Sequence, residues 1–294
     1  MSVTGEILNG LGNQLFIIYA TMAYAKRHGL TAWFRPASDY GPRQAYWRDF
    51  LSDAPQDMQR VSRGYREPAI TYAEIPAGCD YLSGYFQSAK YFADAAAAIT
   101  SELKLAPRRE QVRATFAHEL TPCGAPTVNI SIHFRLGDYK TASSQVLGLE
   151  YYAAALAAAL AASPAASSTS KDTCPQILVW YFYEKEDEAT IAEWITQLQH
   201  NNPQLRWRPV CSGHRSDWED MMLMSCADHH VIANSTYSWW AAYMHSVCDS
   251  AMATDGTSAA KPTVIYPCQW FGSTPEALAR SRDICPADWI GITL

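Results

Sequence analysis

Three short runs of this 294-residue chain gather groups able to handle an anion, and each follows an apolar stretch. In Gly10-Leu11-Gly12-Asn13-Gln14, glycines let backbone N–H groups approach a negative group at a helix start, while Asn13 and Gln14 add uncharged donors. A tight turn that needs positive φ explains the same glycines equally well. In His133-Phe134-Arg135-Leu136-Gly137-Asp138, His133 and Arg135 stand two apart and are expected to share one face of a strand. Arg135 suits a diphosphate, because its planar fork holds two oxygens and keeps its charge. Asp138, past the strand end, reads as a carboxylate that caps backbone amides or fixes Arg135. The third run is Asn234-Ser235-Thr236-Tyr237-Ser238-Trp239-Trp240. Its Asn234, Ser235, Thr236 and Ser238 form an uncharged phosphate cradle at a helix N-terminus, with simple N-capping by Ser238 as the plainer alternative and both Trp in the core. The Asn234-Ser235-Thr236 sequon ends a buried strand and is expected to stay unmodified.

The elements that place these runs follow from periodicity. A short strand ending at Ile7 and Leu8 leads through the first run into a helix with Leu15, Phe16, Tyr19, Met22 and Ala23 at helical spacing, closed by Lys26-Arg27-His28-Gly29. Residues 36–77 read as long loops and short helices. Residues 91–105 and 107–120 read as helices, and the break at Thr121-Pro122-Cys123-Gly124-Ala125-Pro126 sets a boundary between domains 1–125 and 126–294. Beyond it, strands at 128–135, 177–183, 205–210 and 230–233 alternate with helices at 151–162, 189–198, 218–225 and from 238 onward. Such alternation predicts right-handed βαβ units, mainly parallel sheets and an α/β class with two layers facing a cleft, ligands binding at the C-terminal strand ends. Residues 163–172 form a polar connector.

Composition narrows the partners. Apolar residues at 48% and charged residues at 18% exclude a disordered chain. A net charge of −6 argues against nucleic acid or an anionic membrane as the main partner, since both need a broad basic face. The eight cysteines are scattered without metal-finger spacing and read as reduced, buried thiols. With neither a secretory leader nor an apolar run of membrane-spanning length, the chain reads as soluble and cytoplasmic.

Taken together, the three runs resemble the α-1,2-fucosyltransferase family of GDP-fucose-dependent, family 11 type glycosyltransferases. That family opens with Gly-Gly-Leu-Gly-Asn-Gln, carries His-x-Arg-x-Gly-Asp mid-chain and ends with Asn-Ser-Thr-Phe-Ser-Trp-Trp. Gly84-Tyr85-Phe86-Gln87-Ser88 is similar to a further run of its bacterial members. Asn9 stands where the family has its first Gly and Tyr237 where it has Phe. Tyr183-Glu184-Lys185-Glu186-Asp187 departs from the family's Phe-Ser-Asp-Asp, which leaves a donor contact from that loop open.

The resemblance implies a GT-B fold of two Rossmann-like domains and inverting transfer of L-fucose from GDP-β-L-fucose to a sugar hydroxyl, O2 of a galactose, without a metal or other cofactor. Catalysis falls to Arg135 and Asn13. Donor binding falls to Gly12, Gln14, His133, Asp220, Asn234, Ser235, Thr236 and Ser238. His133 and Asp220 are the guanine contacts, Asp220 being read as an exposed residue at a helix start. A carboxylate suits guanine because N1–H and N2–H₂ are adjacent donors. Rival readings are another acceptor sugar or position, and a nucleotide-sugar or glycan binder without turnover. The general base stays open among His28, Asp39, Glu67 and Asp138. Two runs rich in possible metal ligands, Glu184 to Glu188 and Asp228-His229-His230, read as solvated or structural, since adjacent strand residues face opposite ways.

Overall fold

The computed structural model describes residues 1–34, 46, 49–56, 62–69, 71–122, 126–140, 146–163, 175–252, 261–281 and 283–293, with the side chains of Asp138 and Lys140 excepted. Asp39, Cys123, Cys174 and most of the polar connector lie outside the described residues. The six described cysteines are free thiols. Among the described residues no helix is long and apolar enough to cross a membrane.

In chain order the elements are β1 (Ser2–Gly5), α1 (Leu11–His28), β2 (Thr31–Phe34), β3 (Gly64–Arg66), β4 (Tyr81–Ser83), α2 (Ala96–Glu102), α3 (Leu105–Thr115), α4 (Ala117–Leu120) and β5 (Thr127–His133). There follow α5 (Leu149–Ala162), β6 (Gln176–Tyr183), α6 (Glu188–Asn201), β7 (Arg206–Cys211), α7 (Asp217–Ser225), β8 (His229–Val231), α8 (Thr236–Met252), β9 (Thr263–Pro267), α9 (Pro275–Ser281) and β10 (Ile290–Ile292). Among the described residues they form two sheets, ordered β2-β1-β4-β3 and β10-β9-β8-β5-β6-β7, with every pairing parallel. This is the α/β class that the alternation of strands and helices implies.

The chain divides into two compact units. The first comprises Met1–Pro107, Val247–Thr257 and Ala279–Pro286, and the second Arg108–Ser246, Ser258–Leu278 and Ala287–Leu294. The division thus falls ahead of the boundary at 125 read from the sequence, and two later segments return to the first unit. The Pro/Gly break after Leu120 marks the end of α4; the compact units instead follow where side chains pack. Arg109, buried at 3% exposure, donates from Nε to Ser225 Oγ and from Nη2 to Ser225 O, which ties α3 to the end of α7.

In the first unit, α1 buries Leu15, Phe16, Tyr19, Met22 and Ala23 as its spacing requires. Gly29 ends it at φ 63, and the next residue's N–H, on Leu30, donates to Ala25 O at 2.9 Å, closing the carbonyls that a helix end leaves open. The single helix expected over 91–105 is instead a 3₁₀ turn at Ala89–Tyr91 followed by α2, and Lys104 at φ 53 separates α2 from α3. In the second unit, β5 is buried along its last five residues. Ile130 and Ile132 pack with Val179, Val231 and Ile265 of neighbouring strands against Tyr151, Tyr152 and Leu156 of α5 and Ile191 of α6. Trp239 and Trp240 are fully buried, Trp239 stacking on Tyr243 at 4.7 Å between ring centroids.

β1 approaches α1 tightly at Gly5, for a Cβ there would meet Thr21 Oγ1 at 2.5 Å and the Phe34 ring at 3.1 Å. Gly5→Ala is therefore expected to destabilise the protein by about 1–3 kcal/mol through overpacking. Adding Thr21→Ala should recover part of that loss; strictly additive urea midpoints for the double variant would contradict the contact.

Candidate functional site

The second unit's sheet starts at β5, grows to one side through β6 and β7, and then reverses to β8, β9 and β10 on the other. Helices leaving β5 and β8 must diverge at such a reversal, which opens a crevice beyond the C-terminal ends of those two strands. The register sets Ile132 beside Val231 and His133 beside Phe182. The second and third runs are therefore delivered to one edge, either side of the reversal.

Side-chain contacts close this group. Arg135 lies over the Tyr139 ring at 5.3 Å, and Tyr139 donates its hydroxyl to Asn234 O at 3.0 Å. The His133 ring stands 5.5 Å from the Tyr237 ring, and Tyr237 donates to Asp217 O at 2.6 Å, which brings the start of α7 to the same edge. Asn234 and Ser235 are buried, and Ser235 O accepts from Trp239 N at 3.0 Å, so Ser235 stands at the N-cap of α8. Ser238 donates its hydroxyl back to Ser235 O at 3.3 Å inside the first turn, and Thr236 is half-buried beside it. The first-turn N–H groups of α8 thus point along a helix dipole at the crevice.

β5 ends at His133, so Arg135 stands on the loop beyond the strand instead of on its face. His133 is buried at 5% exposure and its Nδ1 meets no partner among the described residues. Burial, with the Arg135 charge adding to it, drives the imidazole down to about 3, so the ring is neutral. Arg135 Nη1 donates to Glu184 Oε1, an ion pair that sequence reasoning missed. The pair follows from the register, which sets His133 beside Phe182 and so brings the residues just past the two strands close together.

Asp220 corrects the expectation of an exposed helix-start residue. Ser216 and Glu219 form a capping box that starts α7 at Asp217, which puts Asp220 on the inward side of the first turn at 6% exposure. Its Oδ1 accepts from Arg215 Nε at 2.7 Å, and Arg215 lies over the Phe116 ring at 5.3 Å. Burial raises the Asp220 carboxyl, while the Arg215 hydrogen bond and charge lower it in part.

The first unit repeats the topological device, with β1 leading to β2 on one side and β4 on the other. The loops after β1 and β4 meet there. Asn9 Nδ2 donates to Tyr85 Oη at 2.6 Å, and Gln87 Nε2 donates to Asn13 Oδ1 at 2.7 Å. Asn9 sits at φ 58, so the position where the resembled family has Gly is one that needs a left-handed residue, which Asn tolerates. Gly10 caps α1 in extended conformation, Gly12 is buried in its first turn, and fully buried Gln14 donates to Asn9 O at 2.8 Å, bracing the turn from inside.

Glu67 holds the other loop. Its Oε2 accepts from Tyr85 N at 2.8 Å and Phe86 N at 2.9 Å, and its Oε1 from Tyr91 Oη at 3.3 Å. Burial raises this carboxyl, while the two backbone N–H bonds oppose the rise. With both oxygens engaged, Glu67 is a strap on a loop in which Gly84 and Phe86 take positive φ. His28, at the far end of α1, lies about 25 Å along the helix from its first residue at 1.5 Å per residue.

The possible metal ligands disperse as strand alternation implies. His229 Nδ1 accepts from Thr263 N at 3.3 Å, while His230 Nδ1 pairs with Ser131 Oγ at 2.8 Å. Among the described residues no group of three His, Cys, Asp or Glu side chains gathers as a metal would require.

Residues 193–272, from α6 through the third run to the loop after β9, match the model of glycosyl transferase family 11. The chain resembles the family 11 fucosyltransferases. It is 27% identical over 146 residues to the O-antigen biosynthesis glycosyltransferase WbnK of Escherichia coli, covering 48% of this chain and 38% of that one. It is 24% identical over 222 residues to an alpha-1,2-colitosyltransferase of Escherichia coli, covering 71% and 61%. Each match thus spans less than two thirds of the relative's own length. Among solved structures, the NodZ alpha-1,6-fucosyltransferase soaked with GDP-fucose aligns over 82% of this chain and 92% of its own, at 12% identity and a TM-score of 0.45. A family 9 glycosyl transferase of Veillonella parvula aligns over 100% and 86%, at 9% identity and a TM-score of 0.46.

A neutral, buried His133 has a pH signature. The unfolded chain binds its proton near pH 6.5 and the folded chain only near 3. The stability that the neutral ring permits is therefore complete above pH 6.5 and is lost as pH falls toward 3, by at most about 1.4 kcal/mol per pH unit for this one group. An NMR titration should find the His133 ring neutral at pH 5; an imidazolium there would overturn the assignment.

Proposed function

We propose that this chain is an inverting GDP-fucose-dependent fucosyltransferase of GT-B type that forms an α-1,2 linkage to galactose of an oligosaccharide acceptor. The observation that carries it is the gathering of Arg135, His133, Asp220 and the Asn234–Ser238 turn around one strand reversal in the second unit. A guanidinium fork, a helix N-terminus with its hydroxyls and a buried carboxylate together match a diphosphate joined to guanine. The family 11 resemblance supports the same reading.

In this mechanism the donor's C1–O bond to the β-phosphate breaks as the acceptor hydroxyl attacks from the opposite face, which inverts the anomeric carbon. Negative charge grows on the leaving diphosphate. Arg135 and the α8 N-terminus stabilise that charge in place of a divalent cation. Asp220 accepts from guanine N1–H and N2–H₂, with Arg215 holding the carboxylate in position. The orphaned His133 Nδ1 gains a partner when the base is bound. The oxocarbenium-like transition state needs only weak base assistance to the acceptor.

The colitosyltransferase relative favours one variant of this reading, with colitose as the transferred sugar. Fucose and colitose donors assayed against a panel of galactose-terminated glycans decide between them. Product formed with neither donor, despite GDP binding, would favour a binder without turnover.

Arg135→Ala should lower kcat/KM by about 10²-fold or more, because it removes charge stabilisation that develops in the transition state. Wild-type activity should survive excess EDTA. Near-normal turnover in the variant, or a loss in EDTA restored by Mg²⁺ or Mn²⁺, would each sink this mechanism.

Asp220→Asn should weaken GDP by roughly 10- to 100-fold and narrow its advantage over UDP, since stranding one member of a buried, charge-assisted set costs about 1–3 kcal/mol. The variant should also melt lower than wild type, because the carboxamide can still accept from Arg215 but no longer balances its charge. Calorimetric titration with GDP and UDP checks the first expectation, and unchanged GDP affinity would return Asp220 to a purely structural role.

A further inference from the structure

The pair between Arg135 and Glu184 spans the C-terminal ends of β5 and β6, and it is an odd arrangement for a cation that is to receive a diphosphate. His133 is registered beside Phe182, so the chains leave the two strands side by side, Arg135 on one and Glu184 on the other. The arginine side chain is 16% exposed and the glutamate 31%, so water screens the pair only in part. The Glu184 carboxylate also lies against Gly137, where any side chain would collide with it. One residue group further along, buried Asp187 accepts from Gly137 N at 2.8 Å through Oδ2. The loop after β5 is therefore held by two carboxylates from the segment after β6, one on its cation and one on its backbone.

The two carboxylates have different fates when an anion arrives. Asp187 sits on a backbone N–H and serves the loop's shape. Glu184 neutralises the side chain that makes the loop useful. A diphosphate meeting this Arg135–Glu184 pair gains little net attraction and meets a like charge, whereas Arg135 turned from Glu184 to the phosphates exchanges one charge-assisted contact for another.

We propose that Glu184 is a carboxylate stand-in for the donor's diphosphate: it holds Arg135 when no nucleotide is bound, gives way when the diphosphate arrives, and competes for Arg135 again once GDP is the product. This rests on Arg135 being the diphosphate ligand. Glu184 then weakens donor and GDP alike, setting KM and the rate of product departure while keeping the guanidinium in place between turnovers. The Tyr139 face, which contacts Arg135 without charge, stays on it throughout.

The test is calorimetric titration of GDP, and separately of inorganic pyrophosphate, into wild type, Glu184→Gln, Glu184→Ser, Glu186→Gln and Arg135→Ala. Glu186 is exposed two residues away and carries the same charge, so its variant reports the general effect of removing one negative charge. Glu184→Gln and Glu184→Ser should tighten both ligands by about 10-fold, with Glu186→Gln within about twofold of wild type. Steady-state kinetics of Glu184→Gln should show lower KM for the donor and stronger inhibition by GDP, without a rise in kcat. Equal or weaker binding in both Glu184 variants, with binding still dependent on Arg135, would overturn the stand-in role and make Glu184 a fixed brace. Binding that is indifferent to Arg135→Ala would overturn the diphosphate assignment itself, and the proposal with it.

Discussion

A parallel sheet that grows first to one side of a strand and then to the other leaves the chain no choice about where its loops separate. In the second unit that strand is β5, paired with β6 along its length and with β8 on its other edge. Both faces are covered, as parallel sheets require, so the polar groups it carries to its C-terminal end have one exit. His133, Arg135 and the turn before α8 meet because the topology reverses there. The same reversal between β1 and β4 brings Asn9 and Asn13 to Tyr85 and Gln87.

Concentrating charge at such an edge has a physical cost, and the structure shows how it is met. Arg135 is paired with Glu184 and faces Tyr139; Asp220 is paired with Arg215, itself laid over Phe116. His133 resolves its burial by staying neutral. Each group is held in place before any ligand arrives, which limits the ordering that binding would otherwise require. At this edge the buried His133 Nδ1 is left without a hydrogen-bond partner among the described residues.

Of the strands around the second unit's site, β5 and β6 were legible because each is long and strongly patterned, whereas three-residue β8 was legible from the helix signals on either side of it. Thr127–His133 alternates, and Gln176–Tyr183 is a continuous apolar and aromatic run. The strands that escaped, β2, β3, β4, β9 and β10, have three to five residues. A segment that short has too few side chains to show a period of two, and its strand character comes from pairing with neighbours. The site divides along the same line. Arg135 and the α8 turn announce themselves by residue type, whereas Asp220's burial follows from the capping box that rotates α7, and Glu184's role from a register between strands about fifty residues apart. The first is a local signal whose consequence for Asp220 depends on which way α7 faces, and the second is a pairing between strands that no local window contains.

The division of the chain also bears on the order in which a ribosome could complete it. The first unit emerges first, yet it includes Val247–Thr257 and Ala279–Pro286. Asp283 comes back to accept from Tyr72 N at 3.2 Å and to pair with Lys90, partners made some two hundred residues earlier. At 5–20 residues per second, the interval between Pro107 and those last segments is on the order of ten to forty seconds. Through that interval the first unit lacks part of its packing, and the second unit is itself interrupted, taking in Ser258–Leu278 and Ala287–Leu294 after its main segment. The first unit is therefore closed only by residues made after most of the second.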